Sequence, residues 1–337
     1  MTIIITGLGM MHVIPNVKTT LCEAEVLNTR RMQKRMAKKP VSSVRTRKFG
    51  RLQKYFGGSP TVQHSPRSIG NLDMKNFKAS LAVAAALALA AIAAPANADA
   101  LKNIVLVHGA WVDASGWKPV YEILVNEGFR VTMVQEPETS FADDVAAAKR
   151  ILDLQDGPTL LVGHSYGGSI ITEAGVHPNV AGLVYVAAHA PDVGEDEGTL
   201  GKKTPSILAK TDGAIRKTPD EFTYLNPAEF PRLFAPDLPR ERAEFVARSQ
   251  VLAAAKVFSA PLTAAAWKSK PSWGIVAGGD KIINPDLERW YYTRAKSHTT
   301  EIKGASHSVY ESHAKEVAAV ITDAARKVEK YAAHAQE

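Results

Sequence analysis

Residues 159–168 read Thr159-Leu160-Leu161-Val162-Gly163-His164-Ser165-Tyr166-Gly167-Gly168. The apolar run Thr159–Val162 predicts a strand buried on both faces, and the residues from Gly167 to Gly175 predict a helix. Between them lies Gly-x-Ser-x-Gly, in the strand–turn–helix context that gives this motif its meaning. A serine held there sits on a tight, strained turn, with its hydroxyl raised above the end of the sheet. It also lies beside a helix N-terminus, which favours developing negative charge. Gly163 and Gly167 leave room where side chains would collide. Ser165 is therefore a candidate nucleophile.

The same alternation continues on both sides. Ile104–His108, Arg130–Gln135, Ala181–Ala188, Ser272–Ala277 and Thr299–Ile302 read as further strands. Trp117–Gly128 reads as a helix stopped by glycine, with Tyr121, Leu124 and Val125 on one face. Phe141–Leu154 is a helix with Asp143 and Asp144 at its start and Lys149 and Arg150 later, matching the helix dipole. Ala314–Tyr331 is a last helix. Strands separated by helices imply right-handed crossovers, hence an α/β fold with a mainly parallel sheet flanked by helices. Residues 191–270 break the rhythm. They are rich in proline and charge, hold helical stretches such as Arg240–Lys256 and lack a convincing strand, so they predict a small helical cap.

The 337 residues carry 41 Lys+Arg against 34 Asp+Glu, a net +7 that invites a nucleic-acid or anionic-membrane partner. The distribution of the charge argues otherwise. Residues 1–73 hold 13 basic and 3 acidic side chains, whereas 99–337 hold 26 basic and 31 acidic. Between these pieces, Met74 is followed by Lys75, Lys78, the apolar run Ala79–Ala94 and Pro95-Ala96-Asn97-Ala98. This is the pattern of a secretory signal peptide, with cleavage after Ala98 or, in the next frame, after Ala100. The run is short of the roughly 18–20 residues that a membrane span needs. The expected organisation is a basic stretch over 1–73 that is disordered or precedes the true start at Met74, and a signal peptide over 74–98. Residues 99–337 then form one exported domain, secreted or periplasmic, with its cap at about 191–270. No nucleic-acid partner and no lasting membrane anchor are expected. The single cysteine, Cys22, lies in the first stretch, so the domain has neither disulfide nor thiol chemistry. No metal ligands and no cofactor are expected.

Four blocks then converge: His108-Gly-Ala-Trp111, Gly163–Gly168, Ala188-His-Ala-Pro-Asp192, and Gly278-Gly-Asp280-Lys-Ile-Ile-Asn-Pro285 with Gly304-Ala-Ser-His307. In order and spacing, residues 102–330 resemble the α/β-hydrolase superfamily. Within it they look like the small-cap carboxylesterases, a group that includes plant methyl-ester hydrolases and hydroxynitrile lyases. The resemblance implies the α/β-hydrolase fold with Ser165 as nucleophile, His307 as its base and Asp280 as the carboxylate that orients His307. Serine is a poor nucleophile until a neighbouring imidazole takes its proton. His108 and His164 flank glycine turns and suit packing or hydrogen bonding there. His298, His313 and His334 lie before the last strand, at the last helix and in the tail. Asp192 is an alternative third member, and Asp286 and Glu288 read as helix-start residues. The oxyanion hole is expected from the N–H of Tyr166 and, by the resemblance, that of Ala110. Trp111 is either a competing donor or a wall of the pocket. His189 stands where similar enzymes place an aromatic or aliphatic residue. A titrating imidazole there would orient a polar or acidic acyl group, and a solvated loop histidine is the other reading.

The resemblance implies hydrolysis of a small to medium apolar carboxylic ester through an acyl-enzyme, with the ester as small-molecule partner. Serine at the turn speaks against the dehalogenases and epoxide hydrolases of the superfamily, which use aspartate there. Ser308 stands where the hydroxynitrile lyases of the similar group carry lysine. Perhydrolysis, carbon–carbon hydrolysis and a non-catalytic binding role remain alternatives, and oligomeric state is left open. Phe222, Tyr224, Phe230, Phe234, Phe245, Phe258 and Trp267 in the cap either line an apolar pocket or form the cap's own core. N-terminal sequencing of the native protein is expected to begin at Asp99 or Leu101; a peptide from within 1–73 overturns the reading of Met74 as the start.

Overall fold

The computed structural model describes residues 101–334; the stretches 1–73 and 74–98, with the expected signal peptide and Cys22, lie outside the described residues. In chain order the first elements are β1 (Asn103–Val107), α1 (Lys118–Asn126), β2 (Arg130–Met133), α2 (Phe141–Asp153), β3 (Thr159–His164), α3 (Gly167–Ala174) and β4 (Val180–Val186). The intervening segment holds α4 (Glu197–Lys203), β5 (Ile215–Lys217), β6 (Phe222–Leu225), α5 (Phe230–Leu233), α6 (Arg240–Arg248) and β7 (Ala253–Ala254). The chain then returns through β8 (Ser272–Ala277), α7 (Pro285–Arg294), β9 (His298–Ile302), α8 (Val309–Ser312) and α9 (Ala314–His334).

Six strands form one sheet in the order β2-β1-β3-β4-β8-β9, with every neighbouring pair parallel. Parallel strands need helical crossovers, and those helices cover both faces. The two-residue period of the strands sorts the core accordingly. Val105, Val107 and Leu161 point to the side of α2 and α3, where they meet Val145, Ala148, Ile170 and Ile171. Ile104, Leu106, Leu160 and Val162 point the opposite way, against Val120 and Leu124 of α1 and Val317 and Ile321 of α9. Each such side chain, fully buried, contributes about 1.5–3 kcal/mol. The strand reading made from apolar runs agrees with this sheet.

Helix ends follow local chemistry. Ser140 caps α2, its side chain accepting from the Asp143 N–H at 3.1 Å. Helix α1 ends in a Schellman pair, Gly128 N–H to Val125 C=O at 3.0 Å and Phe129 N–H to Leu124 C=O at 3.1 Å, with Gly128 at φ +92°. The expected buried face of α1 is corrected: Val120 and Leu124, one turn apart, face the core, while Val125 is 40% exposed. Asp144 lies in the first turn of α2 as expected and is also fully buried.

The cap expectation is corrected in kind. Residues 191–270 carry helices, but also a three-stranded antiparallel sheet, β5-β6-β7. The helix expected over Arg240–Lys256 ends at Arg248, and β7 follows. These strands have two to four residues and little apolar alternation, so their pairing comes from long-range bonds. The Gln250 side chain does part of this work, accepting from Leu225 N–H and donating to Leu225 C=O, each at 2.8 Å. No helix among the described residues is long and apolar enough to cross a membrane.

Trp117, in a 3-10 turn before α1, is fully buried and packs on Tyr310 with ring centroids 4.9 Å apart. Trp117→Ala is expected to cost about 3–5 kcal/mol through the lost contacts and the cavity left behind. Urea denaturation measures it.

Candidate active site

Ser165 lies between β3 and α3 with φ +54°, the left-handed region that a non-glycine residue occupies only under strain. The turn closes because α3 starts almost in contact with the end of β1. A Cβ on Gly167 would lie 2.3 Å from the His108 carbonyl oxygen, so only glycine fits there. Ser165 is 7% exposed and opens onto a cavity of about 490 Å³.

The partners arrive from the far side of the sheet. The β8–α7 loop carries Asp280, and the loop after β9 carries His307, which is fully buried. His307 Nε2 is 2.8 Å from Ser165 Oγ, and its Nδ1 is 2.5 Å from Asp280 Oδ2. Asp280 Oδ1 accepts from the N–H groups of Ile282 at 2.7 Å and Ile283 at 3.1 Å, which fixes the carboxylate. The geometry thus brings Ser165, His307 and Asp280 into one hydrogen-bonded line. Asp192 lies apart from it, paired with Lys268 at 2.5 Å, and Asp286 is an exposed partner of Arg289.

Glu288 is the helix-start acid that the sequence suggests, but its burial was not legible there. It is fully buried in α7, with Oε2 accepting from Ala277 N–H at 3.0 Å. Burial, with the adjacent Asp280 charge adding to it, holds its carboxyl well above the ordinary value.

Tyr166 is the N-cap of α3, so its N–H is among those the helix leaves unbonded. Ala110 lies on the β1 loop and lines the cavity with Ser165 and Tyr166. The competing donor, the Trp111 N–H, is turned away and given to Glu138 Oε2 at 3.3 Å. The Trp111 ring lines the cavity instead, its Nε1 donating to Thr223 of β6 at 3.1 Å. His189 also lines the cavity, its Nδ1 3.2 Å from the Tyr291 hydroxyl. Burial, with His307 nearby, pushes its pKa down to about 3. The imidazole is neutral at ordinary pH, so the expected titration near neutrality does not occur.

The cap aromatics divide between the two readings. Phe258 lines the cavity, while Phe230 and Phe234 stack at 4.6 Å in the core and Phe245 is 60% exposed. Phe234 meets the His307 ring edge-on at 4.7 Å, and Asp237 just after it accepts from Ser306 N–H at 2.8 Å. The cap thereby braces the loop of His307. Apolar lining comes also from Leu208, Ile282, Ile283 and Leu287.

A family model described as the alpha/beta hydrolase family matches residues 104–320. The chain belongs to that family. Among curated relatives of this alpha/beta hydrolase, norfluorocurarine synthase 2 of Strychnos sp is 28% identical over 273 residues, covering 69% of this chain and 98% of the relative. A carbendazim hydrolyzing esterase of Nocardioides sp. (strain SG-4G) is 30% identical over 131 residues, 34% of this chain and 54% of the esterase. Among solved structures, polyneuridine aldehyde esterase aligns with TM-score 0.57 and 19% identity, over 66% of this chain and 98% of that one. A pyrethroid hydrolase of Sphingobium faniae JZ-2 aligns with TM-score 0.57 and 21% identity, over 67% and 98%. At these identities the two structures speak for the fold.

Beneath the β1 loop lies a buried network that the sequence did not reveal. His108 donates Nδ1–H to Gly109 C=O at 2.9 Å, and its Nε2 contacts the Glu136 carboxylate. Asp144 accepts from the Tyr166 hydroxyl at 2.7 Å and from Glu138 N–H at 2.8 Å. Burial alone would lower the His108 pKa, but Glu136, aided by Glu138, lifts it to about 9. The folded value lies above the unfolded value near 6.5, so this proton stabilises the fold fully below about pH 6.5. That contribution is lost as pH rises through about 9. The urea midpoint of the parent is therefore expected to fall more steeply from pH 7 to 10 than that of His108→Gln; parallel curves contradict the assignment.

Proposed function

We propose that this alpha/beta hydrolase is a serine carboxylic ester hydrolase acting through an acyl-enzyme on Ser165. The observation that carries the proposal is the hydrogen-bonded line Ser165–His307–Asp280, with its serine on a strained turn at the cavity. Fold alone does not decide the reaction, since the relatives above include both a synthase and esterases. The esterase names among them favour this reading, and so does the site.

In this mechanism Ser165 Oγ attacks the ester carbonyl as His307 Nε2 takes its proton. Asp280, bonded to Nδ1, holds the tautomer that leaves Nε2 free to accept and stabilises the imidazolium that forms. The N–H groups of Ala110 and Tyr166 receive the negative oxygen of the tetrahedral intermediate. The imidazolium returns its proton to the departing alkoxide, which leaves as an alcohol. Water then repeats the sequence on the acyl-enzyme, with His307 again the base, and releases the carboxylic acid. A cavity of about 490 Å³ with a largely apolar wall suits a small to medium ester.

Ser165→Ala is expected to lower kcat on a p-nitrophenyl ester by roughly 10³-fold or more. Residual activity within tenfold of the parent overturns the proposed nucleophile.

A further inference from the structure

The cavity onto which Ser165 opens contains a group that ester hydrolysis does not require. Glu197, on α4 of the cap, lines the same cavity as Ser165, yet only 7% of its surface is exposed. A carboxyl so buried in a mainly apolar wall either has a cation beside it or keeps its proton, because burying an uncompensated charge is costly. Glu197 has no fixed cation: among the described residues its ion-pair neighbour is His189, whose Nε2 is 4.0 Å away. That ring is held neutral by its own burial. Arg294 is committed to Glu195 and to the Ala190 carbonyl, and Lys202 of the cavity lining is exposed. Among the described residues, the Glu197 carboxyl accepts one hydrogen bond, from Ser169 Oγ to Oε2 at 2.8 Å.

We propose that Glu197 binds the substrate, and that the pocket takes esters carrying a basic amine a few bonds from the scissile carbonyl. This rests on the ester-hydrolase reading above and names its substrate class. The reach is set by the shared cavity: Ser169, in the first turn of α3, donates to Glu197, and Glu197 lines the same cavity as Ser165. His189 is tied to the same turn, donating its N–H to the Ser165 carbonyl at 3.2 Å. Burial pushes the Glu197 carboxyl up to about 8, against the Ser169 hydrogen bond and with Asp196 adding to the rise. An aliphatic amine, with a pKa near that of lysine at about 10.4, is the stronger base and keeps the proton. The bound pair is then an ammonium and a carboxylate, joined by a charge-assisted hydrogen bond in a site largely shielded from water. The rings of Trp111 and Phe258, 5.5 Å apart at their centroids, supply faces that also favour a cation.

The test compares methyl 4-(dimethylamino)butyrate with its carbon isostere methyl 5-methylhexanoate on the full chain. The parent is expected to favour the amine in kcat/KM by roughly tenfold or more, the scale of a charge-assisted hydrogen bond. Glu197→Gln, which keeps the size and the acceptor for Ser169, is expected to bring the ratio close to one. Equal rates in the parent, or a parent-like ratio in Glu197→Gln, overturn the proposal. Should that variant fail to fold, the parent still decides: n-butylammonium is expected to inhibit competitively where n-butanol at the same concentration does not, and equal inhibition overturns the proposal. If Ser165→Ala hydrolyses both esters at the parent rate, the ester-hydrolase reading itself has failed, a result separate from any change in ratio.

Discussion

The close approach of α3 to the end of β1 governs the site. With no side chain at Gly167, the first turn of α3 packs onto the carbonyl of His108. That contact turns the chain sharply at Ser165 and sets its φ at +54°. It also brings the β1 loop, with Ala110, beside the N-terminus of α3, with Tyr166. The candidate nucleophile and the candidate oxyanion donors thus meet at a single backbone contact. The strain is tolerated because the sheet on one side and two layers of helices around it leave the turn no other arrangement.

Below that contact, the charge arrangement is economical in a different way. Several acids near the site are buried, yet their environments assign different roles. Asp280 accepts two backbone N–H groups and faces His307. The Glu288 carboxyl is pushed well above its ordinary value by burial and by Asp280. Asp144 takes the Tyr166 hydroxyl, and Glu138 takes the Trp111 N–H. The last two connect the β1 loop to α3 through the Glu138–Asp144 hydrogen bond. Loss of any of these carboxylates leaves a buried donor unpaired, so the network braces the β1 loop against α3.

What was legible in the sequence was what local pattern can carry. Continuous apolar runs marked the central strands, and the spacing around Ser165 marked its turn. Asp280 and His307 are far apart in sequence, and it was the resemblance of the surrounding blocks that pointed to them. The short strands of the cap left no such trace: Ile215–Lys217 is exposed throughout, and β7 has two residues whose pairing partners lie about thirty positions away. Burial of acids was hidden for a related reason. Asp144 and Glu288 occupy first turns of helices, where a dipole explanation suffices. Only the packing of Tyr166 and Asp280 against them reveals the second role. Glu197 was invisible likewise, since its depth depends on how α4 folds back over α3.

The clasp between Asp237 and the loop of His307 has a consequence for how such a protein can change over evolutionary time. Ser306 N–H and the Ser312 hydroxyl both end on Asp237, and the Ser308 N–H ends on the Phe234 carbonyl. The inserted segment is consequently no interchangeable module. A recombination event that replaced it wholesale would remove the Asp237 and Phe234 contacts to the loop of His307, whatever new ligand it was selected to admit. The stretch between α4 and β5 is tied in as well, since Leu208 N–H ends on the carbonyl of Lys281, next to Asp280.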